Sequence, residues 1–160
     1  MPKTADKLGA LVDAARALSG IGAPHALIGG VAVGIQAHVP RATADVDIGV
    51  HSRIERRALI AALTAARFRL TGEFRHSVTF RHASGEPVQV VMDAAMDAMI
   101  DRAERFELEG TTIPIVTKDD LIAMKQRSAA DPTRRRSKQL QDLADVELLR
   151  GDVPDPDEGW

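Results

Sequence analysis

The chain contains no cysteine, which excludes disulfides, thiolate metal sites and cysteine nucleophiles together. Aromatic residues are scarce, with four Phe, one Trp and no Tyr, too few to build a platform on which nucleic-acid bases stack. No apolar run approaches the ~18 residues of a membrane-spanning helix. The formal net charge is −2, so overall charge indicates neither a nucleic-acid nor a membrane partner.

What is present is the composition of a soluble globular protein: 160 residues, 44% hydrophobic and 28% charged. We expect one domain over residues 1–150. Residues 151–160 hold four acids and two prolines without periodicity, and this predicts a disordered acidic tail. The first four residues lack the apolar region of a signal peptide, so a cytoplasmic protein is expected.

Hydrophobic periodicity predicts an α+β fold, a mixed β-sheet flanked by helices. Three side chains or pairs are predicted to cap helices: Thr4, Ser52 with Glu55, and Thr117 with Asp120. The predicted helices cover 4–19, 31–38, 54–66, 95–104, 117–128 and 133–149. The predicted strands cover 25–28, 44–50, 68–70, 74–82, 88–92, 106–108 and 111–116.

The segment from Leu27 to Val50 contains the residues best suited to chemistry. A predicted strand runs through Gly29 and Gly30 into a helix, and bare amides at a helix N-terminus suit a phosphate. Asp45 and Asp47 lie two apart on the next strand, so both carboxylates project from one face with Cα atoms ~7 Å apart. Two like charges this close favour a cation beside them, and magnesium prefers carboxylates together with substrate phosphates.

Each of these features also has a purely structural interpretation. A glycine pair between a strand and a helix is usually only a tight turn, and alternating acids on a strand usually form a solvated face. Their joint occurrence beside Arg41 and Thr43 favours a functional site.

The motifs Gly29-Gly30-x-Ala32 and Arg41-x-Thr43-x-Asp45-x-Asp47 resemble the signature of the nucleotidyltransferase superfamily that includes DNA polymerase beta. Within it the chain is similar to the small bacterial group related to abortive-infection and toxin–antitoxin nucleotidyltransferases. The resemblance continues through Lys125 and the ending that starts at Asp142, and so covers about residues 20–150.

The resemblance implies a magnesium-dependent (or manganese-dependent) enzyme that transfers a nucleoside monophosphate from a nucleoside triphosphate to a hydroxyl. Asp45 and Asp47 would be the catalytic residues and metal ligands. The triphosphate would be bound by a set of five residues: Gly29, Gly30, Arg41, Thr43 and Lys125. The acceptor would be RNA, a protein or a small molecule, and an antitoxin would be a protein partner, with no role for a membrane.

One position departs from the family. A third carboxylate usually follows on the neighbouring strand, and the matching residue here is Gln89. An amide cannot deprotonate a nucleophile or bind magnesium as a carboxylate does. The alternative hypothesis is therefore a catalytically silent domain of this fold that binds nucleotide, RNA or a protein partner. Asp93 would reach the site only if the chain bends after Val91.

Four further residues are candidates for contacts with the acceptor: Arg75, Arg81, Lys138 and Asp142. Lys138 belongs to a basic run that begins at Arg134, and such runs are most often solvated helix faces. Salt bridges with this run are the structural alternative for Asp142 and Asp145, and surface arginines on a sheet are usually only solubilising.

Overall fold

The computed structural model describes residues 5–39, 43 and 45–151. The predicted cap Thr4, the nucleotide-binding candidate Arg41 and the tail residues 152–160 lie outside the described residues. The helices and strands follow one another along the chain in this order: α1 (Lys7–Gly20), β1 (His25–Ile28), α2 (Gly29–Ala37), β2 (Val46–Val50), α3 (Arg56–Ala65), β3 (Arg69–Glu73), β4 (Ser77–Arg81), β5 (Pro87–Val91), α4 (Asp97–Asp101), β6 (Glu104–Leu108), β7 (Thr111–Ile115), α5 (Lys118–Ala129) and α6 (Arg136–Arg150). A 3-10 turn over Ala94–Met96 precedes α4.

The seven strands form one mixed sheet in the order β3-β4-β5-β2-β1-β7-β6. β2 is antiparallel to β1 and parallel to β5, and β1 is parallel to β7. The predicted α+β class, a mixed sheet flanked by helices in a single domain, is confirmed. Among the helices that the structure describes, none is long and apolar enough to cross a membrane.

Apolar side chains of the central strands are buried on the face covered by α1 and α3. Val46, Ile48 and Val50 alternate with Asp47 and Gly49 along β2. The alternation therefore turns Asp47 to the opposite face of the sheet. That face is covered over β1 and β2 by α2, against which α5 and α6 pack.

Several local predictions differ from the structure. The predicted helix 95–104 is a 3-10 turn followed by the five residues of α4, and Glu104 already begins β6. The expected capping box of Ser52 and Glu55 is wrong, because the Ser52 hydroxyl donates to Asp97 at 2.5 Å and α3 begins without a side-chain cap. The predicted strand 74–82 is shorter, since a tight turn at Phe74 joins β3 to β4. Thr117 does cap α5, where its hydroxyl accepts from the Asp120 amide at 3.2 Å.

Candidate active site

The glycine pair forms one wall of a cleft at the end of β1. α2 begins directly at Gly29, whose φ of +73° lies in the left-handed region that favours glycine. A Cβ at this position would lie 2.3 Å from the Asp47 Oδ2 atom. The Asp47 carboxylate therefore fits against the start of α2 only because residue 29 has no side chain.

The two predicted carboxylates lie together in this cleft. Asp47 is paired with Ile28 of β1 on one side and with Gln89 of β5 on the other. Asp45 precedes β2, and the Thr43 hydroxyl donates to its backbone carbonyl at 3.3 Å. The cleft has a volume of about 570 Å³, and Gly29, Gly30, Thr43, Asp45 and Asp47 all line it. The structure thus brings the glycine pair of the first motif together with the described residues of the second.

The oxygen set of this cleft fits a hard divalent cation. Asp45 and Asp47 supply carboxylates on one face of the sheet, and the Gln89 side chain adds an amide oxygen beside them. No group of three His, Asp or Glu residues suited to a metal occurs in the described part of the chain. Two carboxylates with room for phosphate and water match the way proteins hold Mg²⁺, rather than a cage built wholly from protein ligands.

The opposite wall is a cluster of charged side chains between α5 and α6. The Lys125 ammonium lies 3.4 Å from Asp142 and 3.0 Å from Asp145, and both carboxylates are only 2% exposed. Arg134 donates to Asp142 at 2.7 Å. Two cations thus face two buried carboxylates, and this balance removes most of the cost of burying the charges. The predicted salt bridge of Asp142 with the basic run is confirmed at Arg134.

Lys125 was expected to extend toward the phosphates, and it does line the cleft. Its ammonium, however, is held by Asp142 and Asp145, which fix its position in the wall. Two candidates for contacts with the acceptor, Lys138 and Asp142, also line the cleft. Their contact with an acceptor stays a prediction.

Two lining residues are not among the predicted site residues: Gln141, and Arg134, which the sequence analysis names only as the start of the basic run. Lys138, Gln141 and Asp142 are spaced as i, i+3 and i+4, which places them on one face of α6. This spacing could have identified Gln141 once Lys138 was a candidate. Arg134 precedes α6, so no helical pattern reveals its contact with Asp142.

The start of α5 is fixed by a second ion pair. Arg102 donates to both oxygens of Asp120, at 2.7 and 2.6 Å, while Asp120 also accepts from the Thr117 hydroxyl at 3.1 Å. The bond from Arg102 is the main reason that the pKa of Asp120 lies below its ordinary value, and the bond from Thr117 lowers it further. The helix that carries Lys125 is thereby anchored to the end of α4.

Gln89 lies in the cleft directly beside Asp47, the position at which the resemblance implies a third carboxylate. Asp93 does not replace it, because its carboxylate caps the 3-10 turn by accepting from the Ala95 amide at 3.0 Å. Glu86 is buried and paired with Lys7 of α1. Within the described residues, the carboxylates that line the cleft are therefore Asp45, Asp47 and Asp142.

Two candidates for acceptor contacts are not brought to the cleft. Arg75 lies in the turn between β3 and β4, where its backbone carbonyl accepts from Arg56. Arg81 ends β4, and its guanidinium donates to the Gly85 carbonyl at 2.7 Å. Neither lines the cleft. Their role in acceptor binding stays a prediction.

Solved structures with the same fold are known. The chain is similar to a nucleotidyltransferase-like antigenic protein of Paracoccidioides brasiliensis, with a TM-score of 0.65 and 21% identity over 99% of this chain and 82% of that one. It is also similar to the lincosamide antibiotic adenylyltransferase LnuA with lincomycin bound, with a TM-score of 0.64 and 12% identity over 94% and 99%. For ANT(2'')-Ia in complex with adenylyl-2''-tobramycin, the TM-score is 0.62 and the identity 15%, over 92% and 90%.

These likenesses concern the fold. No curated protein matches the sequence. Residues 10–158 match the family described as nucleotidyl transferase AbiEii toxin of a type IV toxin–antitoxin system. That match takes in both walls of the cleft, and the chain therefore belongs to the AbiEii nucleotidyltransferase toxin family.

Proposed function

We propose that the protein is a magnesium-dependent nucleotidyltransferase, which moves a nucleoside monophosphate from a nucleoside triphosphate to a hydroxyl group and releases pyrophosphate. The observation that carries this proposal is the contact between Gly29 and Asp47. It places the Asp47 carboxylate directly against the amide end of a helix, in a cleft that Asp45 also lines.

The triphosphate binds along the side of the cleft formed by α2. The first amides of α2 have no partners within the helix and form its positive end, which favours an anion. Gly30 and Thr43 line the same side, and Arg41 is proposed to bind there as well. Across the cleft, Lys125 and Arg134, whose charges are balanced by Asp142 and Asp145, supply N–H donors for the phosphates.

Asp45 and Asp47 hold the divalent cation, which, when bound, neutralises the negative charge that builds up on the transferred phosphoryl group and the leaving pyrophosphate. Mn²⁺ prefers the same oxygen ligands and can take the place of Mg²⁺. The residues of this chain orient the triphosphate so that an acceptor hydroxyl can attack the α-phosphorus in line with the leaving group. The bond to the pyrophosphate oxygen breaks, and the hydroxyl proton passes to solvent.

The acceptor is RNA, a protein or a small molecule. LnuA is an adenylyltransferase, and the ANT(2'')-Ia complex contains an adenylylated antibiotic, so the fold does support transfer to small hydroxyl compounds. The family description instead supports a toxin with an antitoxin as its partner. We favour a toxin over an enzyme that modifies antibiotics. The sequence itself matches the toxin family, whereas the adenylyltransferases share only the fold.

Transfer of labelled nucleotide tests the proposal. The protein is incubated with each α-labelled triphosphate, Mg²⁺ or Mn²⁺, and total RNA or cell lysate. Wild type should label an acceptor, and Asp45→Ala/Asp47→Ala should not. Asp155→Ala/Asp157→Ala removes two acids with the same spacing from the tail and should leave labelling intact. Equal labelling by all three proteins would contradict the proposal.

A silent domain that binds nucleotide, RNA or a protein partner is the second candidate, and Gln89 is the observation that favours it. With an amide beside Asp47, the cleft lacks the family's third carboxylate. Nucleotide binding without transfer would support this candidate. In that case Gln89→Asp should start transfer, whereas Gln89→Glu serves as a control of equal charge and greater length.

A further inference from the structure

The half of the sheet formed by β5, β4 and β3 presents a polar face beside the cleft. Val78 and Phe80 of β4 are buried on the side of α1 and α3, where Phe80 meets Phe68 edge-on at 6.4 Å. Thr79 and Arg81 alternate with them and therefore point to the cleft side. The helices on that side, α2 and α4, pack on β1 and β2. The polar face is thus a shelf continuous with the cleft.

Two arginines lie directly opposite each other on this shelf. Arg81 of β4 pairs with Arg69 of β3, so their side chains share one face and start about 5 Å apart. Both are exposed, and among the described residues neither forms an ion pair. Opposed like charges destabilise a strand pair, and an anion held between them would remove that penalty.

The segment that contains the arginine pair is basic. Residues 53–81 contain seven arginines and two glutamates, in a chain whose net charge is −2. The Thr71 and Thr79 hydroxyls lie next to the arginine pair and 2.9 Å from each other. The Thr71 hydroxyl donates to that of Thr79, which in turn donates to the Gly72 carbonyl at 3.5 Å. The shelf therefore attracts a phosphate through the charge and N–H groups of the two arginines.

The register relates this arginine pair to the catalytic carboxylates. Arg81 pairs with Pro87 of β5, and Val88 pairs with Val46, so Asp45 lies at the level of Pro87. Adjacent strands are ~4.8 Å apart, which puts the backbone of Arg81 about 10 Å and that of Arg69 about 14 Å from Asp45. Gln89 and Thr79 form the next row, leading outward from Asp47.

The direction of the reaction decides which substrate meets the shelf. The proposed triphosphate lies against α2, on the β1 side of Asp47, and so the pyrophosphate leaves on that side. In-line attack requires the acceptor hydroxyl to approach from the other side, across Gln89 and β4. An anion at Arg69 and Arg81 therefore belongs to the acceptor.

We infer that Arg69 and Arg81 form a phosphate-binding subsite for the acceptor, and that the acceptor carries a phosphate group two to three strands, on the order of 10 Å, away from the hydroxyl that reacts. The inference rests on the proposed function, which sets the direction of attack. A nucleic-acid strand and a phosphorylated small molecule both supply this chemistry, and the experiment below separates them.

Binding without catalysis tests the subsite. A fluorescein-labelled, 12-nucleotide single-stranded RNA is titrated with the full chain in the absence of triphosphate, and anisotropy gives Kd. Arg69→Gln/Arg81→Gln should raise Kd about tenfold and reduce the slope of log Kd against log salt by about 1. Arg69→Gln alone keeps the Arg81 bond to Gly85 and should raise Kd about threefold.

The matched control is Arg53→Gln/Arg57→Gln, which removes two exposed arginines from the same basic segment away from the shelf. It should change Kd less than twofold. Equal weakening by both double variants would show general attraction to positive charge and would overturn the subsite, as would an unchanged Kd in Arg69→Gln/Arg81→Gln.

Competition identifies the source of the phosphate. If unlabelled RNA displaces the labelled RNA and ribose 5-phosphate does not, the acceptor is a nucleic acid. If ribose 5-phosphate also displaces it, the acceptor is a phosphorylated small molecule. If wild type binds neither compound, the inference fails. Magnesium–triphosphate binding is measured separately and should be unchanged in Arg69→Gln/Arg81→Gln. If the wild-type protein does not bind magnesium–triphosphate, the proposed function is contradicted instead.

Discussion

The two walls of the cleft are built by different physical means. On the β2 side, the carboxylate of Asp47 fits because Gly29 has no side chain, and this contact depends on backbone shape. On the α5–α6 side, Lys125 and Arg134 face Asp142 and Asp145, and this contact depends on charge. The first wall should therefore respond to added volume, and the second to a change of charge or pH.

The difference between the two walls also bears on function. A wall set by backbone shape keeps its geometry whether or not a substrate is bound. A wall of ion pairs can exchange partners, because a phosphate competes with a carboxylate for the same cation. We expect the carboxylates of β2 to be fixed in place, and Arg134, which is 37% exposed, to shift from Asp142 toward the substrate.

Removing the central cation of the charged wall should have the largest effect on stability. Lys125→Met leaves Asp142 and Asp145 buried with one cation fewer, and breaking a buried pair costs about 3–5 kcal/mol. Urea unfolding measures the free energy. Lys138→Met removes an exposed lysine of the same cleft and should cost less than about 0.5 kcal/mol. Equal losses in the two variants would show that the cluster is not what stabilises this wall.

Adding one methyl group to the other wall should reduce activity strongly and stability mildly. Gly29→Ala forces a side chain into a left-handed conformation, which costs about 1–2 kcal/mol. It also displaces Asp47, and an error of about 1 Å in a catalytic group can cost about 100-fold in rate. Nucleotide transfer and urea unfolding measure the two effects.

The control for this change is Gly20→Ala. A Cβ at Gly20, the last residue of α1, would meet nothing within 4 Å. Its rate should equal that of wild type. A fully active Gly29→Ala variant would show that the close approach of Asp47 is unimportant.

The anchor of α5 should make stability sensitive to acid. The folded pKa of Asp120 is lowered, chiefly by the bond from Arg102, so this carboxylate stabilises the fold above its unfolded pKa of about 3.8. The contribution is lost as pH falls through the lower folded pKa. Arg102→Gln should therefore be less stable than wild type at pH 7, and the difference should shrink below about pH 4. A constant difference in urea unfolding across this range would contradict the anchor.

A smaller pH effect is expected at the start of β1. His25 is buried, and desolvation lowers its pKa despite the bond of its Nδ1 to the Ala23 carbonyl. The unfolded chain then binds the extra proton, so stability should fall as pH decreases below about 6.5. His25→Asn should flatten this dependence between pH 7.5 and 5.5, whereas His76→Asn, at an exposed site, should not.

Local sequence was enough to predict the first wall. Gly29, Gly30, Asp45 and Asp47 lie within 20 residues, strand alternation puts both carboxylates on one face, and the family resemblance places them beside the glycine pair. Thr117 and Asp120 were predicted correctly as a cap for the same reason, since both partners belong to one turn.

Contacts between distant segments explain what was missed. Ser52 bonds Asp97, 45 residues further on, instead of capping α3. Arg69 is paired with Arg81 across a hairpin whose register contains a bulge after Leu70, and local alternation does not reveal this pairing. Such pairings depend on tertiary packing, which overrides the local patterns that sequence reasoning uses.

The central claim is that Asp45 and Asp47 hold a divalent cation together with the triphosphate. Electron paramagnetic resonance of Mn²⁺ tests it directly, because the signal of the free ion decreases as the ion binds. Wild type should bind Mn²⁺ much more tightly when a non-hydrolysable triphosphate is present, and Asp45→Asn/Asp47→Asn should lose that gain. Triphosphate-dependent Mn²⁺ binding that persists unchanged in the double variant would contradict the account.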